Sequence, residues 1–243
     1  MAVGWAVAAW GSGLILLYGG PASAPPIPID GLVWATPFLA FAAVGGLINA
    51  RQPTNRIGWL MVSISLLQGV GLLGSSLLRY LYVGNAGLGA IGWLTLAAGS
   101  VSTAGYGLLA FVLLTFPTGR LPSPRWRWVA AAAVLELMLS IADNAVSVQP
   151  PLPGGLPVSP LANAALARLL DPLTSTAASG LFFLAAASAL PVRYKSGQNI
   201  VRRQIKWFAL GVAVLVAGSI LNGIGSSVAG SQSPTSISSL LGT

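Results

Sequence analysis

The chain has 243 residues, of which 55% are hydrophobic and only 7% charged, and its mean hydropathy is +0.80. Soluble domains carry about 25% charged residues, so this chain lacks the polar surface to cover a water-soluble globule and reads as an all-α integral membrane protein, a bundle of about seven spans. Twelve Lys and Arg against four Asp and Glu leave a net charge of +8, and the absence of Cys and His closes off disulfides, thiolate or imidazole metal sites and Ser-His-Asp catalysis.

In chain order, the apolar spans run roughly over 2–19, 32–50, 58–78, 93–116, 127–147, 173–192 and 207–228. The first is followed by the small residues "PASA", but it lacks the positively charged start of a signal peptide and is read as a retained span. A proline-rich stretch (19–31) leads to the second span, and "RQPTNR" follows with Arg51 and Arg56. The third span carries Gln68 beside Ser63 and Ser65 in "SISLLQGVGLLG", a group expected to pair between helices. Its glycines, like those of "AVGGLINA" in the second span, are expected to let helices approach closely.

After the fourth span comes "GRLPSPRWRW", residues 119–128, with Arg120, Arg125 and Arg127 among Pro122, Pro124, Trp126 and Trp128. The fifth carries Glu136, the acid set well inside a predicted span. Next comes "QPPLPGGLPVSP" (149–160) and then "LANAALARLLDP". Ser159 is expected to cap a short amphipathic helix over 160–170, with Pro160 in its first turn and its end before Pro172. The alternative is that this segment simply lengthens the sixth span. After the sixth span, "RYKSGQNIVRRQIK" carries Arg193, Lys195, Arg202, Arg203 and Lys206, and Trp207 opens the seventh. The serines of 226–239 read as an outer loop beginning to re-enter the bilayer.

Ten of the twelve basic residues thus fall in three alternate linkers, while the intervening side holds Arg79 and Arg168 with Asp30, Asp143 and Asp171. Translocating Lys and Arg is disfavoured, so the basic linkers are cytoplasmic, the N-terminus is inside and the seventh span ends outside. Each basic linker hands over to the next span through tryptophan (Trp59, Trp126 and Trp128, Trp207), a residue suited to the headgroup level.

Few residues carry candidate chemistry. Glu136 is read either as a proton- or ligand-sensing group or as an interhelical hydrogen-bond partner. Gln68 is read as an intramembrane coupling residue or a packing tie. "GQNIVRRQ" has too few glycines for a phosphate cradle, and no GxxxxGK[ST] occurs. No residue set converges on a reaction centre, and no cofactor or metal site is expected on this chain. The expected partners are the lipid bilayer and, at the basic linkers, anionic lipids; nucleic acid is not expected.

Three phrases in these linkers resemble the multi-span membrane sensor regions of bacterial two-component sensor histidine kinases. "NxxGWL" is matched by Asn55, Arg56, Gly58 and Trp59 in "NRIGWL"; "FPxGRLPSxRWR" by Pro117, Gly119, Arg120, Pro122, Arg125, Trp126 and Arg127; and "RxxxGxxRQQxKW" by the run ending Arg202, Arg203, Gln204, Lys206 and Trp207. They occur in the same order and cover 55–207. The resemblance implies an input module in the bacterial inner membrane, homodimeric within a full kinase, that reaches a response regulator only through a kinase domain. This chain departs from the family pattern in having no histidine and no ATP-binding motif, so no enzyme activity is assigned to it. In the family an eighth span returns to the cytoplasm, so the expectation is a fragment cut in or before that span, or a stand-alone relative without its output domain. The leading expectation is a sensory domain coupling an extracytoplasmic or intramembrane stimulus to a cytoplasmic output. The alternative is a small transporter or permease component.

Overall fold

The structure is a computed structural model that describes residues 2–18, 30–83, 88–147, 159–196, 199–206 and 208–209. Every regular element among them is helical: α1 (Ala2–Tyr18), α2 (Asp30–Arg51), α3 (Arg56–Val83), α4 (Leu88–Thr115), a 3-10 turn (Pro124–Trp126), α5 (Arg127–Val146), α6 (Ala164–Thr174), α7 (Thr176–Ala187) and α8 (Ala189–Ser196). Residues 199–206 are helical too. Helix is the form in which a segment this apolar satisfies its own backbone. Four stretches are long and apolar enough to cross a membrane: Arg56–Leu78, Ile91–Thr115, Pro124–Val146 and Ala164–Lys195. All but residues 208–209 of the expected seventh span, most of the two proline-rich stretches and the serines of 226–239 lie outside the described residues. The chain divides into two units, Met1–Val192 and Arg193–Thr243.

In the first unit α3 is the hub, packed against α1, α2 and α4. Trp10 of α1 is almost fully buried, and its indole N–H donates to the Ser65 carbonyl of α3 at 2.9 Å. The indole reaches that carbonyl because position 69 is glycine: a Cβ there would lie 2.9 Å from Trp10 Cδ1 and 3.1 Å from Nε1. The Trp10 ring stacks on Phe38 of α2 at 6.2 Å between centroids, and Phe38 meets the edge of Tyr106 of α4 at 5.6 Å. One aromatic group therefore joins all four helices.

Glycine also sets the α3–α4 distance. A Cβ on Gly71 would collide with Ser102 Oγ, and one on Gly74 would lie 2.7 Å from Ala98 Cβ. Beyond that contact Leu78, Ile91 and Ala98 close the far end of the pair, with Leu94 against them. α4 continues the bundle to α5 and α7 through a second core of Ala110, Leu114, Ala133, Ala186 and Ala189, against which Phe182, Phe183, Leu121 and Trp126 pack.

The segment after α5 departs from expectation. The short helix is α6, and its cap is Asn163, whose Oδ1 accepts from Ala165 N at 3.0 Å and Leu166 N at 3.2 Å. Ser159 does not cap it; its hydroxyl donates to the Ala145 carbonyl at 2.6 Å and closes a turn by accepting from Leu161 N at 3.3 Å. Nor does the helix stop before Pro172. It runs to Thr174, because Ser175 N–H to Asp171 O and Thr174 Oγ1 to Leu170 O complete its last turn past the proline. Asn163 N–H donates to Val146 O, and Ser179 of α7 meets Glu136, ten residues earlier on α5 and about 15 Å along its axis. α6 and the first turn of α7 thus run back alongside α5. Ser175, as N-cap of α7, separates the two helices.

Gly69→Ala should lower unfolding stability by about 1–3 kcal/mol, because the new methyl must push the buried indole away. Gly4→Ala, where a Cβ meets nothing within 4 Å, should be neutral or stabilising by up to about 1 kcal/mol. Thermal unfolding of the two variants in one detergent checks the difference in sign.

Candidate functional site

The first two linkers that carry the quoted phrases meet. Between α2 and α3, Asn55 caps α3: its Oδ1 accepts from Ile57 N at 3.0 Å, while its Nδ2 donates to Gln52 Oε1 at 3.2 Å. Trp59 folds its indole N–H back onto the Pro53 carbonyl at 3.1 Å and leaves its ring 51% exposed. Gly58 has its own task. A Cβ there would collide with Asn49 Oδ1, so the glycine lets the end of α2 lie against the start of α3.

Between α4 and α5, Gly119 takes φ +72°, a left-handed conformation that favours glycine, and its N–H donates to Thr115 O at 2.8 Å to finish α4. The Phe116–Pro117 peptide is cis. Pro122 is half-buried, and Trp126 N–H donates to Ser123 O at 3.0 Å as the 3-10 turn leads into α5. The two tryptophans of "RWRW" separate: Trp126 packs on the second core, whereas Trp128 is 76% exposed. A Cβ at Gly119 would lie 3.5 Å from Asn55 Oδ1 and 3.6 Å from Arg56 N, so this loop rests directly on the α3 cap. Arg51, Arg56, Arg120, Arg125 and Arg127 are all exposed around the joint.

The third phrase lies in the second unit. There Arg202 turns back on the end of α8, its Nε donating to Tyr194 O at 3.0 Å and its Nη2 to Lys195 O at 3.3 Å. These are carbonyls that a helix end leaves without intrahelical donors. The Arg202 guanidinium and the Lys206 ammonium lie 5.7 and 5.9 Å from the Tyr194 ring centroid. Arg203 and Gln204 are exposed, and Trp207 is outside the described residues.

Inside the bundle, polar groups pair across helices. Gln68 is fully buried and donates through Nε2 to the Ser102 carbonyl of α4 at 3.0 Å, with Gly105 leaving room for the amide. Glu136 accepts from Ser140 Oγ at 3.1 Å within α5 and from Ser179 Oγ of α7 at 2.9 Å. Asn144 donates to Ser100 Oγ at 3.3 Å, tying α5 to α4. Sequence reasoning missed Trp10, Asn144, Ser179 and the Asn163 cap. For the last a signal was present, since Asn directly before "AALARLL" is a favoured cap position. Among the described residues no group of three or more Cys, His, Asp or Glu is placed to hold a metal.

Comparison with known proteins returns no matching family model, no matching curated protein and no matching solved structure.

Two outcomes follow from this geometry. Asn55→Ala should cost about 1 kcal/mol of unfolding stability through loss of the α3 cap, and Asn55→Asp should restore most of it; chemical unfolding in detergent measures both. Glu136→Gln retains an oxygen acceptor for the two serine hydroxyls and should stay within about 0.5 kcal/mol of the parent, whereas Glu136→Leu should lose about 0.5–1.5 kcal/mol. Equal losses in the two variants would show that the hydroxyl contacts hold nothing.

Proposed function

We propose that this chain is a membrane-embedded sensory input domain, similar to those of bacterial two-component sensor histidine kinases, with seven spans, a cytoplasmic N-terminus and an inner-membrane location. The observation that carries the reading is the joint between the first two phrase-bearing linkers. Asn55, Gly58, Trp59 and Gly119 each perform a specific local task there, and the Gly119 loop sits on the Asn55 cap. Phrases far apart in sequence that build one joint are matched as a unit rather than as separate short coincidences. In this reading a stimulus shifts the helices, and the basic linkers carry the shift to a cytoplasmic output supplied by a kinase domain in a homodimer.

Glu136 supports this reading more than transport, because its carboxylate ties α5 to α7. Substrate flux in proteoliposomes that disappears in Glu136→Gln would replace the sensory reading with a permease.

The cysteine-free chain makes the topology directly testable. Thr54→Cys and Ser123→Cys should react with an impermeant maleimide only in inside-out vesicles, and Leu161→Cys, in the exposed turn before α6, only in right-side-out cells. Labelling of positions 54 and 123 from opposite sides would defeat the proposed topology. For the function itself, the reading frame downstream should continue through a returning span into a histidine-bearing dimerisation helix. A stop codon beside a transporter gene would overturn the assignment.

A further inference from the structure

We propose that the polar face of α5 is a water-accessible path for small cations, leading from the Ser147 end of the helix to Glu136. The inference does not depend on the sensory reading.

Glu136, Ser140, Asp143 and Asn144 stand at i, i+4, i+7 and i+8, so they share one face of α5. Ser147 closes the stripe where the helix ends, about 16 Å along the axis from Glu136. Glu136 itself is midway along α5, within a stretch long enough to cross a membrane. All five residues are half-buried, and neighbouring helices add polar groups to the same seam. Ser179 of α7 donates to Glu136 Oε1 at 2.9 Å, and Ser100 of α4 accepts from Asn144 Nδ2 at 3.3 Å. The opposite face of α5 is apolar and exposed, with Val134, Leu135 and Met138. The polar groups therefore line a seam between helices, and the side open to lipid carries none of them.

Two members of the stripe are acids. Glu136 takes both of its hydroxyl donors, Ser140 and Ser179, on Oε1; its Oε2 and the carboxyl group of Asp143 have no donor among the described residues. Hydroxyl dipoles do not neutralise a carboxylate, and an ionisable group at mid-span belongs where it meets water. The partial exposure of every member from Ser147 down to Glu136 gives water that access. Acids along a narrow polar seam draw cations into it and repel anions. Beyond Glu136 the seam closes. Three and seven residues back on the same face are Ala133, which is fully buried, and Val129, which packs against the same core. A cation thus reaches Glu136 from one end and goes no further, which makes this a place of binding rather than of passage.

The cysteine-free chain allows a direct test in cells and in inside-out vesicles. Ser140→Cys and Asn144→Cys should react with the impermeant cation methanethiosulfonate ethyltrimethylammonium at least about tenfold faster than Leu135→Cys and Met138→Cys, because a charged reagent reaches a thiol only through water. They should do so only from the side on which Leu161→Cys reacts, whichever side that is, so the outcome is separate from the proposed topology. At Ser140→Cys the cation should outpace the anionic ethylsulfonate reagent by about ten times their ratio on a free thiol, and adding Glu136→Gln should cut that preference at least about threefold. Circular dichroism establishes that each variant keeps its helices; if Ser140→Cys loses them, Asn144→Cys decides. Equal rates on the two faces of α5, reaction from the side of Thr54→Cys, or a charge preference that Glu136→Gln leaves unchanged would each overturn the proposal.

Discussion

The bond from the Trp10 indole to the Ser65 carbonyl is the contact on which the first unit depends. A buried indole N–H away from water needs an acceptor, and an unsatisfied one costs several kcal/mol in a lipid environment. The acceptor lies on the backbone of α3, which side chains normally cover. Gly69 uncovers it. Once α1 is seated there, the Trp10 ring becomes the surface on which Phe38 stacks, and Phe38 in turn meets Tyr106. The same use of absent side chains brings Ser102 to Gly71 and Ala98 to Gly74. Lipid tails are as apolar as leucine, so helix association here has to come from such close fit rather than from the hydrophobic effect.

The linkers obey a different constraint. Each must end one helix, begin another and satisfy the freed backbone groups within a few residues. Asn55 caps, Gly58 removes a clash, Trp59 ties its ring to the Pro53 carbonyl, and Gly119 supplies the left-handed turn that ends α4. The residues that carry the resemblance in these two linkers are therefore those that build a joint. They bear on how helices are connected, and they say nothing of a ligand. The third linker makes its own closure from Arg202, whose side chain takes the place of the missing donors at the end of α8.

The helical class was legible because lipid leaves an apolar chain little alternative, although α3 runs on to Val83 and α4 begins at Leu88, each five residues beyond the apolar span read from the sequence. Gln68 was legible as an interhelical group because an amide amid apolar residues must find a partner. Its partner, a main-chain carbonyl of α4, was not, since backbone acceptors leave no mark in the sequence. Trp10 was invisible for the same reason, since nothing marks the indole in the middle of α1 as one that meets a main-chain acceptor. The capping error after α5 arose because Ser159-Pro160 has the form of a helix start. Tertiary contact decided otherwise: the Ala145 carbonyl at the end of α5 claims the Ser159 hydroxyl, and Asn163, pinned by its N–H to Val146, begins the helix four residues later. Trp126 and Trp128 are indistinguishable in "RWRW", and only packing against the second core separates the half-buried ring from the exposed one.

The polar groups inside the bundle are spent in pairs at separate interfaces: Gln68 between α3 and α4, Asn144 between α4 and α5, Glu136 between α5 and α7. Interhelical hydrogen bonds in membranes average about 0.6 kcal/mol, so three of them contribute little to holding helices together. Their effect on register is larger. Sliding one helix past its neighbour by a turn, about 5.4 Å, would break such a bond, and at Gln68 would leave a fully buried amide without its acceptor. Glycine contacts thus set how near the helices lie, and the polar pairs set where along their length they meet.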